Sequence, residues 1–118
     1  MTTYIATTFS PAMLGKGVNA SVKEISLADV KQNLDTTNWI SAVGHKITAD
    51  ILTALLGYEV KFNRTNLTLR PGDSVICIIP NFRASESREF SREEVEAAGY
   101  RCFHITVRQT QTLAGEYE

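Results

Sequence analysis

Apolar side chains at Ile47, Ile51, Leu52, Leu55 and Leu56 recur at helical spacing. That stripe predicts an amphipathic helix with one face in a core. Gly57 follows the last leucine and suits the left-handed residue that closes a helix. Gly44 and His45 stand just before the periodic run. Glycine costs stability inside a helical turn, so this pair is placed at the helix N-terminus. Unpaired N–H groups and a partial positive charge gather there, and phosphate anions settle on them.

The remaining pattern fills in around this helix. Residues 4–9 (YIATTF) read as a first strand, broken at Ser10-Pro11 by a short helix through Met13 and Leu14. Residues 18–25 alternate loosely and are polar, which predicts a strand at a sheet edge. Ser26 is the expected N-cap of a helix from Leu27 to about Leu34, and residues 35–38 form a loop. Residues 58–62 and 66–69 suggest a hairpin or bent strand around Asn63-Arg64-Thr65. The turn Arg70-Pro71-Gly72-Asp73 leads into SVICII (74–79), the most apolar run of the chain. Its β-branched content predicts a central strand covered on both faces. Ser91 opens S-R-E-E, a capping-box pattern for a helix through Ala98. Residues 100–107 alternate as a last strand. The central strand, a crossover helix and the last strand are expected to form a parallel unit.

The expected architecture is a single α/β domain over residues 1–109, with a mixed five-stranded sheet and flanking helices. Residues 110–118 form a polar tail. A length of 118 residues suits one domain and is short for two. Twelve basic against thirteen acidic residues leave a net charge of −1, which argues against wrapping duplex nucleic acid. A small anion held by a few placed arginines fits that balance. The two cysteines, Cys77 and Cys102, sit in apolar runs and read as packing residues of a reducing compartment. Too few ligands stand at close spacing for a zinc site. No secretory leader and no run of about eighteen apolar residues is expected in this sequence.

In open α/β sheets, sites gather beyond the carboxyl ends of strands. Ser10 follows one such end, and Arg83 and Glu86 follow another. His45 at the helix start and Arg64 in the middle segment complete the candidate set. Each has a plain structural alternative: a helix cap for Ser10, a surface or capping histidine for His45, a turn arginine for Arg64, a solvated pair for Arg83 and Glu86. His104, in the last strand, is assigned a structural or surface role.

Several separated motifs then agree in order and spacing. YIATTFSPAML stands near the start, SAVGHKITADILTALLG in the middle, and GDSVICIIPNFR before FSREE. Over residues 4–107 the chain resembles the small viral anti-CRISPR ring nucleases of type III systems, common in archaeal viruses and found also in bacteria and phages. The most specific piece is Val43-Gly44-His45 with Thr48, followed by Arg64 and the pair Arg83 and Glu86. The resemblance implies a two-fold homodimer that shares one pocket for cyclic tetra-adenylate. It implies metal-independent cleavage to linear di-adenylate with a 2′,3′-cyclic phosphate, with no cofactor. That reaction removes the second messenger of the host defence, in the host cytoplasm if the gene is viral. Two departures stand out. Thr7 replaces an asparagine that many members carry in the first strand, and Ile79 replaces a glutamine of some members.

The implied roles suit the side chains. Each adenylate carries its own nucleophile, the neighbouring 2′-hydroxyl, so the protein need only align it, stabilise the transition state and protonate the leaving 5′-oxygen. Histidine suits the acid, which assigns His45. Arg83 and Arg64 suit phosphate clamping by a planar fork. Glu86 either orients His45 or bonds a ribose hydroxyl. Ser10, Thr7 and Gly44 complete the ligand contacts. Two other readings compete: a sponge that binds the ring without cutting it, and a viral structural or nucleic-acid-binding protein. A proton donor is superfluous in a sponge, and the neutral charge disfavours the third reading.

Overall fold

Val75, Ile76, Cys77 and Ile78 are consecutive and all but fully buried. Successive strand side chains point to opposite faces, so this sheet must be covered on both. The computed structural model describes residues 2–81 and 92–110. In chain order they form β1 (Thr3–Ala6), a 3-10 turn (Pro11–Met13), β2 (Val18–Ile25), α1 (Leu27–Thr36), β3 (Trp39–Ser41), α2 (Lys46–Leu56), β4 (Ser74–Pro80), α3 (Arg92–Ala98) and β5 (Tyr100–Gln109). The five strands make one mixed sheet in the order β2-β5-β4-β1-β3.

Each face has its own cover. Ile76 and Ile78 join Ile5 and Cys102 under α1, through Val30 and Leu34, and under α2, through Ile51, Leu52 and Leu55. On the other face Val75 and Cys77 join Ile105 and Val107. Met13 of the 3-10 turn and Leu14 after it, with Leu67 and Leu69, close that side. The caps follow the sequence. Ser26 and Asp29 form the reciprocal capping box of α1. Gly57 ends α2 at φ 77°, a left-handed conformation that glycine adopts at little cost.

Cys77 and Cys102 are buried free thiols. Burial pushes each thiol up to about 11, since a thiolate would lose its water there. Native protein should therefore resist iodoacetamide at pH 8 and label fully once denatured, as mass spectrometry would show. Native labelling as fast as that of a free thiol would contradict this packing. The raised values stabilise the fold below an unfolded-chain value of 9.0, and that contribution is lost as pH climbs through about 11.

The sheet departs from the expected one in three places. β5 runs antiparallel to β4, with Ile78 opposite Cys102 and Pro80 opposite Tyr100, so the parallel unit does not form. The chain returns at the end it left: Asn81 N–H donates to Gly99 O at 2.8 Å, so β5 starts beside the carboxyl end of β4 and runs back along it. Second, residues 58–62 and 66–69 do not pair as a hairpin. Phe62 makes a single parallel bridge to Val43, and Leu69 makes one to Leu14. The two pieces serve different neighbours, one beside the start of α2 and one beside the 3-10 turn. Third, Trp39–Ser41 is a strand, parallel to β1 at the sheet edge. β2 occupies the opposite edge, as its polar pattern predicts. The 110–118 tail lies outside the described residues from 111 onward.

Candidate functional site at the carboxyl ends of the parallel strands

β1 runs parallel to both of its neighbours, β3 and β4. Their carboxyl ends therefore meet at one end of the sheet. Thr7 is the first residue beyond β1 and is half-buried. Ser10 follows it as the N-cap of the 3-10 turn, its hydroxyl oxygen accepting from Ala12 N–H at 3.2 Å. The capping alternative for Ser10 is thus realised, and its hydroxyl proton is left for another acceptor. Beyond β3, Ala42 N–H still bonds Ile5 O at 2.8 Å, and Val43, Gly44 and His45 then lead into α2. Beyond β4 comes Asn81, then the segment that carries Arg83 and Glu86, both outside the described residues.

His45 is the N-cap of α2, with extended backbone (φ −133°, ψ 130°) and an exposed side chain. That side chain makes no capping hydrogen bond, and the first turn holds no acidic residue. The capping alternative for His45 therefore fails. The N–H groups of this turn keep their partial positive charge, with no acidic residue in the turn itself to offset it. The imidazole stands at the same place.

Arg64 comes to this spot by chain pairing. The bridge between Val43 and Phe62 runs parallel, so the two segments proceed side by side. Asn63 N–H donates to Val43 O at 2.9 Å. One residue on, the Arg64 stem lies along Gly44: a Cβ built on Gly44 would touch Arg64 Cγ at 3.6 Å. Gly44, His45 and Arg64 are thereby brought together from two separate stretches of sequence. Two residues of this arrangement escaped the sequence reading. Ser41 and Asn63 bond the segments to each other, and neither has a periodic signal, since Asn63 reads as an ordinary turn residue.

Other features lie elsewhere. An open hollow of about 500 Å³ follows β3 past Trp39, Ile40, Phe62 and Asn63, and includes none of Thr7, Ser10, Gly44 and His45. His104 lines a hollow with Thr3, Asp73 and Ser74, at the amino ends of the parallel strands. It stands on β5 opposite Ile76, with β4 and β1 between it and β3, the strand that leads to His45. Among the described residues no group of three His, Cys, Asp or Glu side chains is placed to hold a metal. No described helix is long and apolar enough to cross a membrane.

The same fold occurs in B116 of Sulfolobus turreted icosahedral virus, at a TM-score of 0.77 and 19% identity, over 90% of this chain and 99% of that one. The chain is 35% identical over 91 residues to "Uncharacterized protein 26" of Sulfolobus islandicus filamentous virus (isolate Iceland/Hveragerdi), covering 76% of this chain and 77% of that protein. It is 30% identical over 87 residues to "Uncharacterized protein ORF117" of Acidianus two-tailed virus, covering 71% and 74%. These relatives are proteins of archaeal viruses. The family model described as STIV B116-like matches residues 3–102, which takes in β1, the His45 turn and β4, and the chain belongs to that family.

Proposed function

We propose that the chain is a metal-independent ring nuclease that cuts cyclic tetra-adenylate into linear di-adenylate with a 2′,3′-cyclic phosphate. In the host cytoplasm this would switch off type III CRISPR signalling, an anti-CRISPR role. One observation carries the reading: the Arg64 stem lies along Gly44, beside His45, at a helix N-terminus with no side-chain cap. A phosphodiester at this point meets a cation, free N–H groups and an imidazole together.

The reaction needs little more. As the 2′-oxygen bonds to phosphorus and gives up its proton to solvent water, the bond to the 5′-oxygen breaks, and His45 supplies the proton that this oxygen requires. Arg64 and the α2 N–H groups stabilise charge on the phosphoryl oxygens. Arg83 adds a second fork, and Glu86 orients His45 or holds a ribose hydroxyl. Thr7 and Ser10 contact the ring at the end of β1. The substrate's own hydroxyl is the nucleophile, so no metal is called on to generate one.

The active form is a two-fold homodimer. In one chain His45 and Arg64 are both exposed. A ring of four nucleotides offers near two-fold symmetry, and a second copy presents the same groups to its other half. Incubation with cyclic tetra-adenylate in EDTA, followed by mass spectrometry, is expected to yield linear di-adenylate with a 2′,3′-cyclic phosphate. Cleavage lost in EDTA and restored by magnesium or manganese would overturn the mechanism. A ring bound but left intact would make the protein a sponge.

A further inference from the structure

We infer that Asn63 and Ser41 are positioning residues that set Arg64 against the His45 turn. The inference rests on the reading of His45 and Arg64 as the phosphate-binding centre. The segment that carries Arg64 belongs to no strand; its bridges are isolated ones, at Phe62 and Leu69, and the first alone reaches the stretch before His45. An isolated bridge is a weak tether. Three hydrogen bonds across to residues 41–43 supply what a ladder would have given, and a fourth braces Ser41 locally. The Ser41 hydroxyl donates to Lys61 O at 2.5 Å and accepts from Val43 N–H at 3.3 Å. Asn63 Nδ2 donates to Ser41 O at 2.6 Å, and Asn63 N–H donates to Val43 O at 2.9 Å.

Asn63 is thus held by main chain and side chain at once, to two residues of the stretch that becomes the His45 turn. Ser41 is 8% exposed, and its bonds to Lys61 and Asn63 are half-buried. Arg64 follows directly, and its Cα inherits the fixed position. A guanidinium on a flexible stem reaches a phosphate productively only if its origin is fixed, because small displacements are costly in rate. Asn63 itself is exposed and packs no core, so its removal leaves the fold intact.

The test compares wild type, Asn63→Ala, Arg64→Ala and the double variant in binding and single-turnover cleavage of cyclic tetra-adenylate. Loss of one such hydrogen bond corresponds to about a three- to tenfold drop for Asn63→Ala. In the Arg64→Ala background the same change should add less than about twofold, since the residue it positions is gone. A purely structural role would give the same factor in both backgrounds, and that outcome overturns the inference. So does an active wild type matched by Asn63→Ala. A wild type that neither binds nor cuts the ring fails differently: it removes the proposed function and the role of the clip with it.

Discussion

Replacing His45 with alanine is expected to slow single-turnover cleavage of cyclic tetra-adenylate by about 10²- to 10⁴-fold, the range of general-acid catalysis. An alkoxide that departs without a proton is a poor leaving group. Binding should persist, because Arg64 and the N–H groups of the first α2 turn remain. The fold should be unaffected as well. The His45 side chain makes no capping hydrogen bond, so truncation removes none. The melting temperature is therefore expected to stay within about a degree or two, well inside the 4–8 °C that about 1 kcal/mol moves a domain of up to a hundred residues. The variant would retain the ring uncut, separating binding from chemistry at one residue. Cleavage within about threefold of wild type, far below that range, would leave the leaving oxygen without its acid and turn attention to Glu86.

Leu52→Ala is expected to have the largest effect on stability. Leu52 is 0% exposed and lies on the α2 face packed against the sheet. Truncation removes buried methyl groups and leaves a cavity that a close-packed interior refills only in part, at a cost of about 2–5 kcal/mol. That is a large share of the ~5–15 kcal/mol by which ordinary domains are stable. Urea unfolding should show a lower midpoint with an unchanged slope. Removing the exposed Lys46–Asp50 pair on the same helix should do far less, because solvent screens it. A Leu52→Ala midpoint equal to that of wild type would contradict the packing of α2 on β4.

The elements with dense local signals were legible from the residues alone. The apolar stripe and Gly57 delimit α2, the Ser26–Asp29 box starts α1, and SVICII marks the central strand with its two covered faces. The polarity of β2 foretold its place at an edge. What escaped depends on contacts distant in sequence. β3 is three residues long, too short for alternation to register. The direction of β5 hinges on where a connection returns, and a capping box reveals only that a helix begins. The site divides the same way. Gly44 and His45 follow from helix punctuation. The approach of Arg64 depends on the bridge between Val43 and Phe62, which no local pattern encodes. The roles of Arg83 and Glu86 rest on motif resemblance, since both lie outside the described residues.

The bond from Asn81 N–H to Gly99 O has a bearing on how such a protein diversifies. It staples together the two feet of an excursion, so β4 and β5 keep their register whatever chain is strung between them. Closing a longer flexible loop costs only about 0.6 kcal/mol per doubling of its length. Arg83 and Glu86 lie between these two feet in the sequence, whereas His45 and Arg64 do not. On the proposed function, exchange of residues 82–91 between members of the family is expected to change binding of the ring while β4 and β5 keep their register.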